Sequence, residues 1–291
     1  MDNTLSKYDE IKETGMRYNT RNLLLRIAWH LVGINKNITN NTNKKVQFIY
    51  SHHVMSDEMD KFEKKINKLK ESYTFVPYSK AVKKVLDGPI DDKYISISFD
   101  DGISNCVKIG KLLARYDISA CFFVCPGAIE DGNDEIACKV NRRIDLPPTS
   151  FMSWDDIEYL RSLGHEIGGH TYSHRNLASA AVPEIKREIF KTYDALQRKV
   201  DGPIHFAWPY GGFEHFTDTA ARMVFDAGFA SCASAVRGCH THVSNRPLRD
   251  LCLRRDHFIA GEPLRHLETF LELNNILPWR QRNSWPATWQ V

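Results

Sequence analysis

The sequence predicts an α/β fold with a parallel sheet, because strand-like and helix-like segments alternate along most of it. Seven apolar runs are typical of strands, and most of them end in polar or turn residues. They cover residues 46–54, 95–101, 119–126, 165–171, 203–209, 229–236 and 251–258. Parallel strands need long crossover connections, and helical patterns between the runs provide them.

Six segments have the periodicity or the end signals of helices. The first, 57–73, places Met59, Phe62, Ile66 and Leu69 on one stripe, with lysine and glutamate elsewhere. The other five cover residues 107–117, 153–163, 182–200, 216–227 and 262–273. Their lengths are suited to the crossovers of a parallel sheet.

Residues at the ends of these segments support three of the helices. Ser153 fits the N-cap of one helix, and Pro183 lies close to the start of the next, where its missing N–H is harmless. Gly202 and Gly228 follow two helical segments as stop signals. The helix boundaries are therefore predicted by chemistry as well as by periodicity.

Two adjacent carboxylates follow the second predicted strand. Residues 95–99 alternate as a strand does, and Asp100 and Asp101 come directly after them, before a glycine that lets the chain turn. By itself an Asp-Asp-Gly sequence is often a solvated turn. Beside a metal, one of these carboxylates would be a ligand and the other a base.

Two histidines four residues apart, His170 and His174, form the second feature. A helical turn or a tight loop puts both imidazoles on one side. Such a pair is often only a surface or capping feature, but glycines at 164, 168 and 169 precede this one and allow a close approach. Two histidines and one carboxylate suffice to bind a divalent metal with open positions, which predicts hydrolysis.

A third segment, 206–212 (Phe-Ala-Trp-Pro-Tyr-Gly-Gly), again joins an apolar run to turn residues. With it, the sequence resembles the NodB-type polysaccharide deacetylases, carbohydrate esterase family four, over about residues 46–260. The motifs lie at 98–102 (Ser-Phe-Asp-Asp-Gly), 170–174 (His-Thr-Tyr-Ser-His) and 208–211 (Trp-Pro-Tyr-Gly), and three motifs in order are far more specific than one. The resemblance implies a distorted seven-stranded (β/α) barrel of the polysaccharide deacetylase type, with its chemistry at the strand C-termini.

The resemblance also implies roles for the matched polar residues. Asp100 would be the general base that activates water, and Asp101, His170 and His174 would hold the metal. One divalent ion is expected, zinc in most relatives and cobalt or nickel in some. Such an ion lowers the pKa of water and polarises the acetamide carbonyl.

The third motif would supply substrate contacts. In the family pattern, the backbone N–H of Tyr210 helps to stabilise the oxyanion, and such a donor is typically worth ~3 kcal/mol. Trp208 and Pro209 belong to the same segment. The aromatic rings of Trp208 and Tyr210 are large enough to stack on a sugar, so this segment is predicted to bind the substrate.

One residue departs from the family pattern. Many members carry an arginine two residues before the motif proline, where it orients the catalytic aspartate, whereas this chain has Ala207. A small residue there resembles the branch of the family that deacetylates poly-N-acetylglucosamine. Strand alternation over 251–258 puts Leu253, Arg255 and His257 on one face. We therefore predict that Arg255 supplies the missing charge.

The family's usual final motif, Leu-x-His, supplies a histidine as general acid, and this chain has no convincing copy. His257 is the first candidate for the proton donor, because it follows the last predicted strand and shares a face with Arg255. His266, which lies in a Leu-Arg-His sequence within a predicted helix, is a rival, as are His240 and His242. A single histidine is more often structural than catalytic, so all four remain open.

A pair of histidines, His52 and His53, ends the first predicted strand. The same branch of the family often has Tyr-His at this place. We expect one of the two, with His52 as the candidate, to line the cleft and contact the substrate. A buried structural histidine accounts for the pattern nearly as well.

Composition and length fit one catalytic domain with a modest extension. The chain has 291 residues, of which 42% are hydrophobic and 26% charged. Its net charge of +3 is too small to indicate a nucleic-acid partner. We divide it into an N-terminal helical extension and linker (1–45), a deacetylase domain (46–275) and a tail (276–291). Residues 126–150 exceed a simple βα loop, and are either an insertion that shapes the substrate site or a variable surface loop.

An apolar segment at 23–34 is interrupted by Arg26 and His30. It is too short for a membrane span, which needs ~20 residues, and no small-residue cleavage site marks it as a signal peptide. A helix packed on the barrel is the simpler interpretation. A peripheral contact of residues 17–34 with the inner membrane is the alternative, since arginines precede and interrupt the segment.

The odd number of cysteines, seven, forms no disulfide framework. It indicates a reducing cytoplasm, with the inner face of the membrane as an alternative location. We predict a metal-dependent hydrolase that removes an N-acetyl group from an N-acetylated sugar or polysaccharide during surface-glycan biosynthesis. Deformylation of a formamido-sugar is a close variant. A catalytically silent carbohydrate-binding relative is the alternative from another class, supported only by Ala207 and the absent final motif.

Overall fold

The computed structural model describes residues 44–129, 134–144, 149–244, 247–281, 284–286 and 289, together with 20, 23–25, 27 and 28. Nine strands in this part of the chain form one sheet, and each strand pair is parallel. They are β1 (Lys45–Ser51), β2 (Thr74–Phe75), β3 (Lys93–Phe99), β4 (Ala120–Val124), β5 (Glu166–Gly169), β6 (Phe206–Ala207), β7 (Cys232–Ala233), β8 (Cys252–Leu253) and β9 (Arg255–His257). The predicted α/β class is confirmed.

The sheet curves into a distorted barrel. Its strands run in the order β8-β7-β6-β5-β4-β3-β1-β9, and β2 pairs with β3 beside this path. Because β8 and β9 are consecutive pieces of one stretch divided at Arg254, the chain itself joins the two ends of the order. Each of the seven predicted runs holds one strand position, the last of them split in two. The two-residue β2 is an addition that the sequence analysis did not predict.

Strand residues alternate between two hydrophobic cores. Phe48 and Phe123 point into the barrel, whereas their neighbours Ile49 and Phe122 pack under the surrounding helices. β1 and β4 are buried along their whole length, as is typical of parallel strands covered on both faces. A near-continuous apolar sequence is therefore required of them, and this explains why their runs stand out in the sequence.

Nine α-helices in the described part of residues 59–276 surround the barrel. They are α1 (Met59–Lys70), α2 (Tyr78–Asp87), α3 (Cys106–Ala114), α4 (Pro126–Ile129), α5 (Asp134–Ile144), α6 (Trp154–Ser162), α7 (Val182–Gln197), α8 (Asp218–Ala227) and α9 (Leu264–Ile276). Six of them match predicted helices to within a few residues. Helix α2 is not among the predicted helices, and residues 126–150, predicted to be an insertion or a variable surface loop, contain α4 and α5.

The predicted helix ends have the expected caps. The Ser153 side chain accepts a hydrogen bond from the Asp156 backbone N–H, and the Asp156 side chain bonds back to the Ser153 N–H, which completes a capping box at α6. Gly228 ends α8 in the left-handed conformation, with φ of 110°. An N-cap of this kind is typically worth about 1 kcal/mol.

Helix α2 closes one end of the barrel. Its buried side chains, which include Tyr78 and Val82, belong to the inner core. At its start, Ser79 contacts the N-terminal ends of two strands: its backbone N–H donates to Glu166 (2.9 Å) and its hydroxyl lies 2.8 Å from His205 Nε2. The opposite end of the barrel, where the strands finish, is left for the candidate site.

The predicted extension, 1–45, and its membrane contact at 17–34 lie largely outside the described residues. Within it, Leu25 is buried while Leu23 and Leu24 are exposed. No helix in the described part of the chain is long and apolar enough to cross a membrane. Near the other terminus, Ser284 bridges to Leu251 and the Trp285 ring is buried, so this part of the predicted tail packs on the barrel.

Candidate active site

The paired aspartates lie at the C-terminal end of β3. The Asp100 backbone N–H donates to the Ser51 carbonyl (2.9 Å), which extends the pairing of β1 and β3 by one residue. The chain then turns through positive φ at Asp101 (76°) and Gly102 (79°). A side chain at position 102 would come within 3.2 Å of Val124. The turn therefore needs glycine there, and it holds both carboxylates at the barrel mouth.

The two histidines follow β5 in a tight turn, which was one of the two predicted arrangements. Thr171 (φ 59°) and His174 (φ 53°) have left-handed backbone conformations. Of the five non-glycine residues with positive φ in the described chain, four are Asp101, Thr171, His174 and Tyr210, all in the three motifs. This backbone strain, which costs of the order of 1 kcal/mol at each residue, is concentrated where the side chains must converge.

The structure brings Asp101, His170 and His174 together as a buried cluster. Asp101 Oδ1 lies 3.4 Å from His170 Nε2 and 3.2 Å from His174 Nε2. Ligands around a tetrahedral ion with bonds of ~2.1 Å lie about 3.4 Å apart, so this spacing fits a zinc-sized ion. His170 Nδ1 lies 2.8 Å from the Ala207 carbonyl, to which it donates, and this directs Nε2 toward Asp101.

The electrostatics of the cluster also suit a cation. Burial alone would raise the pKa of Asp101, but the nearby imidazoles of His52, His170 and His174 hold it well below its usual range. Burial lowers the pKa of His174, which keeps that imidazole neutral and able to donate a lone pair. An ionised Asp101 and a neutral His174 are the forms that bind a divalent metal.

Asp100 forms a bidentate ion pair with Arg255. Arg255 Nη1 lies 2.8 Å from Asp100 Oδ1, and Nη2 lies 2.8 Å from Oδ2. Both side chains are buried, the arginine completely. The predicted contact is therefore present: a cation from the seventh strand position reaches the aspartate from beneath. Two parallel hydrogen bonds fix the plane and the rotation of the carboxylate.

Arg255 is in turn fixed by a polar and aromatic cage. Its Nε donates to the Ser234 carbonyl (2.9 Å) and its Nη1 to Ser98 Oγ (3.3 Å). Its guanidinium carbon lies 4.4 Å from the centroid of the Tyr50 ring and 5.1 Å from that of Phe123. Burial would lower the pKa of Arg255, but pairing with Asp100 raises it above its ordinary value. The guanidinium therefore stays charged in an otherwise apolar barrel.

The motif residues open onto one cleft of about 460 Å³. It is lined by Tyr50, His52, His53, Asp100, Asp101, Arg143, His170, His174, Trp208, Tyr210, Gly211 and Ala235. A cleft of this size accommodates a sugar ring. It has carboxylates and imidazoles at its base and aromatic side chains at its wall.

The third motif divides into a buried and an exposed aromatic residue. Tyr210 is 44% exposed, and its ring lies 5.1 Å from that of His174. Trp208 is 1% exposed and its ring stacks on Phe216 at 4.3 Å and on Trp285 at 5.8 Å. The prediction that Trp208 stacks on a sugar therefore needs correction, because neighbouring rings cover it. Pro209 lies between them in the sequence, at the start of the turn.

His52 and His53 line the cleft, as was predicted for one of them, whereas His257, the first candidate for the proton donor, does not. The His257 ring lies 5.2 Å from that of His52 and 5.0 Å from that of Tyr50, and it borders a neighbouring cavity of about 300 Å³. Burial lowers the pKa of His53 to about 4. The assignment of the donor to His257 is therefore not supported by its position, which is one ring further from the cleft.

The three rivals are also away from the cleft. His266 lies on α9, 3.2 Å from Glu262. His240 is completely buried and its backbone pairs with Val46, while His242 is exposed beside Thr241. Each of the three is engaged in local structure, as the simpler interpretation of a single histidine predicts.

Arg143 is a site residue that the sequence motifs do not indicate. It lies in α5, within the insertion at 126–150, and its side chain lines the cleft. Of the two interpretations of the insertion, the one that places it beside the substrate site agrees with this position. Spacing gave no signal for Arg143, because only the path of the chain between β4 and β5 brings it to the cleft.

Comparison with known proteins agrees with this geometry. A family model for polysaccharide deacetylases matches residues 87–230, about half of the chain, including all three motifs. The chain belongs to the polysaccharide deacetylase family. The stretch thus identified contains Asp100, Asp101, both histidines and the Trp-Pro-Tyr-Gly segment.

A curated relative is the peptidoglycan-N-acetylglucosamine deacetylase of Bacillus cereus, 30% identical over 127 residues. The match covers 43% of this chain and 38% of that protein, so the chain spans well under half of its relative. The relative's name describes its own activity.

Two solved structures share the fold. The Streptococcus pyogenes deacetylase PplD, in complex with acetate, superposes with a TM-score of 0.61 at 18% identity, over 78% of this chain and 96% of that one. IcaB from Ammonifex degensii gives 0.60 at 18% identity, over 84% of this chain and all of that one. At such low identity these likenesses support the barrel and its topology.

Proposed function

We propose that this protein is a metal-dependent hydrolase that removes the N-acetyl group from an N-acetylated sugar or polysaccharide during surface-glycan biosynthesis. One observation carries the proposal. Asp101, His170 and His174 converge at the barrel mouth with a second carboxylate, Asp100, beside them in the same cleft. Membership of the polysaccharide deacetylase family supports the same activity.

Asp101, His170 and His174 would hold one divalent ion, with zinc favoured and cobalt or nickel as alternatives. When bound, the ion would polarise the acetamide carbonyl and lower the pKa of water in the cleft. Asp100 would accept the proton from the attacking water, and Arg255 would hold its carboxylate in one orientation. Each of these roles rests on a residue that lies at the base of the cleft or is paired with one that does.

The exposed side of the cleft would handle the rest of the acetamide. The Tyr210 backbone N–H would donate to the oxygen that becomes negative, an interaction typically worth ~3 kcal/mol. We assign proton donation to the leaving amine to His52, which lines the cleft, with His257 supporting it from behind at a ring separation of 5.2 Å. The exposed Tyr210 ring would contact the sugar.

The place of action is proposed from the cysteines. All seven are free thiols, and six of them are buried. This suits a reducing cytoplasm, and a substrate there would be a nucleotide-linked, lipid-linked or unfinished glycan.

Acetate release would test the proposal. Metal-loaded wild type is expected to release acetate from N-acetylglucosamine oligomers or from UDP-N-acetyl sugars, and Asp100→Asn is expected not to. Formate release from formamido-sugars in the same assay would identify the deformylase variant. A protein that binds no metal and releases neither acid would be the silent relative, and the proposal would fail.

A further inference from the structure

The cleft contains a positive charge that the deacetylation chemistry does not use. Arg143 of α5 lines the cleft, and its Nη1 donates to the Ser173 carbonyl and, at 2.8 Å, to Ser173 Oγ. Ser173 directly precedes His174 in the chain. The guanidinium is therefore anchored one residue from a proposed metal ligand.

Arg143 has no carboxylate within salt-bridge distance among the residues that the structure describes, unlike the other arginines at this end of the barrel. Arg255 pairs with Asp100 at 2.8 Å, and Arg175 pairs with Glu184 at 3.0 Å. The carboxylate of Glu188 is engaged by the Ser173 backbone N–H (2.9 Å) and hydroxyl (2.7 Å) instead. Both described hydrogen bonds of Arg143 use Nη1. The edge of the guanidinium that carries Nε and Nη2 is therefore left for a ligand.

The charge of Arg143 acts on the cleft itself. The Arg143 side chain lines the same cleft as Asp100, Asp101 and the Tyr210 ring. The carboxylates of the cleft do not compensate Arg143, because Asp100 is paired with Arg255 and Asp101 would be a ligand of the divalent ion. With a divalent ion in place, the cleft would carry an excess of positive charge.

We propose that Arg143 recognises an oxyanion on the substrate, so that the preferred substrate is an N-acetylated sugar carrying a phosphate or carboxylate group. A guanidinium presents planar paired donors that match either group in two parallel hydrogen bonds. The inference rests on the proposed function and adds the class of sugar. It also gives the insertion at 126–150 a role in selecting the substrate.

The test compares kcat/KM for acetate release from N-acetylglucosamine 1-phosphate, N-acetylmuramic acid and neutral di-N-acetylchitobiose. Arg143→Gln is expected to lower kcat/KM at least tenfold for one or both anionic sugars, and to change it less than twofold for the neutral sugar. The two anionic sugars distinguish a phosphate from a carboxylate ligand. Arg142→Gln is the matched control, since Arg142 is the adjacent, exposed residue of α5, and it should change none of the three.

Equal losses on charged and neutral sugars would assign Arg143 to support of the Ser173 turn and overturn the inference, as would unchanged kinetics on all three. If wild type releases no acetate from any sugar, the proposed function fails separately. Calorimetric binding of N-acetylglucosamine 1-phosphate to the metal-loaded proteins then decides the inference. A Kd at least tenfold weaker in Arg143→Gln but not in Arg142→Gln would support it, and equal or absent binding would overturn it.

Discussion

Removing both partners of the Arg255–Asp100 pair should destabilise the protein by clearly less than the sum of the two single losses. Arg255→Met leaves Asp100 buried without a countercharge, and Asp100→Asn leaves Arg255 in the same state, since the two side chains are 3% and 0% exposed. An uncompensated charge of this kind typically costs 3–5 kcal/mol, roughly, in each single variant. The double variant leaves neither charge behind, so its loss should be smaller than the sum by about 3 kcal/mol.

Urea unfolding of wild type, the two single variants and the double variant measures this coupling directly. Additive losses, with a coupling below ~0.5 kcal/mol, would show that the two charges do not stabilise one another and would refute the reasoning. Activity gives an independent readout. Arg255→Lys keeps the charge but loses the paired hydrogen bonds, so kcat should fall on the order of 10²-fold as the carboxylate loses its fixed orientation.

Arg237→Met provides a matched control for that experiment. Arg237 pairs with the completely buried Asp256 at 3.1 Å, but it lies outside the cleft and is 27% exposed. Loss of the Arg237 side chain should lower the free energy of unfolding by less than loss of Arg255, because water reaches Arg237 and screens its pair with Asp256. If kcat fell as far in Arg237→Met as in Arg255→Lys, the effect of Arg255 would be general destabilisation rather than orientation of Asp100.

Three further outcomes are expected. Chelation of the metal should abolish activity and lower Tm, and added zinc should restore both. At a zinc concentration of 100 times Kd, binding should stabilise the wild type by about 2.7 kcal/mol. His174→Ala should lose this zinc-dependent rise in Tm, whereas the control variant His242→Ala, at an exposed histidine, should keep it. Burial lowers the pKa of His205 from 6.5 to about 3. The unfolded state therefore binds the proton more strongly, and the free energy of unfolding falls as pH drops below 6.5. In urea titrations, the stability difference between wild type and His205→Asn should shrink by about 2 kcal/mol from pH 7.5 to pH 5. Gly211→Ala should destabilise more than Gly164→Ala, although both have positive φ, because only the first places a Cβ 2.0 Å from Ala235; equal losses of about 1–2 kcal/mol would assign the cost to φ alone.

The parts of the fold that could be predicted were those where burial on both faces leaves an apolar run. β1 and β3 are such strands, and both were placed to within a few residues. Helix α2 was missed although its buried residues, Tyr78, Ala81, Val82 and Val85, follow helical spacing. It lies between β2 and β3, and β2 is itself too short, at two residues, to give a strand pattern in the sequence.

The candidate site was predictable to the extent that its residues are adjacent in sequence. The two aspartates follow one strand and the two histidines lie in one turn, so the members of each pair could be placed side by side from their spacing in the sequence. Strand alternation also placed Arg255 on the inner face, where it contacts Asp100. The proton donor and Arg143 could not be placed in this way, because their distance from the cleft depends on how rings stack and on where an insertion folds.

The pairing of Arg255 also changes the weight of the silent-relative hypothesis. Ala207 suggested that the aspartate lacked the arginine that orients it in many members of the family. In this barrel, the residue at 207 is a completely buried alanine on the inner wall, and the arginine reaches Asp100 from the seventh strand position instead. The bidentate contact requires a guanidinium beside Asp100, whichever strand carries the arginine. Ala207 is therefore no longer evidence for a catalytically silent site. The only remaining support for that hypothesis is the absent final motif, and in this cleft His52 and His53 offer imidazoles that the motif would otherwise supply.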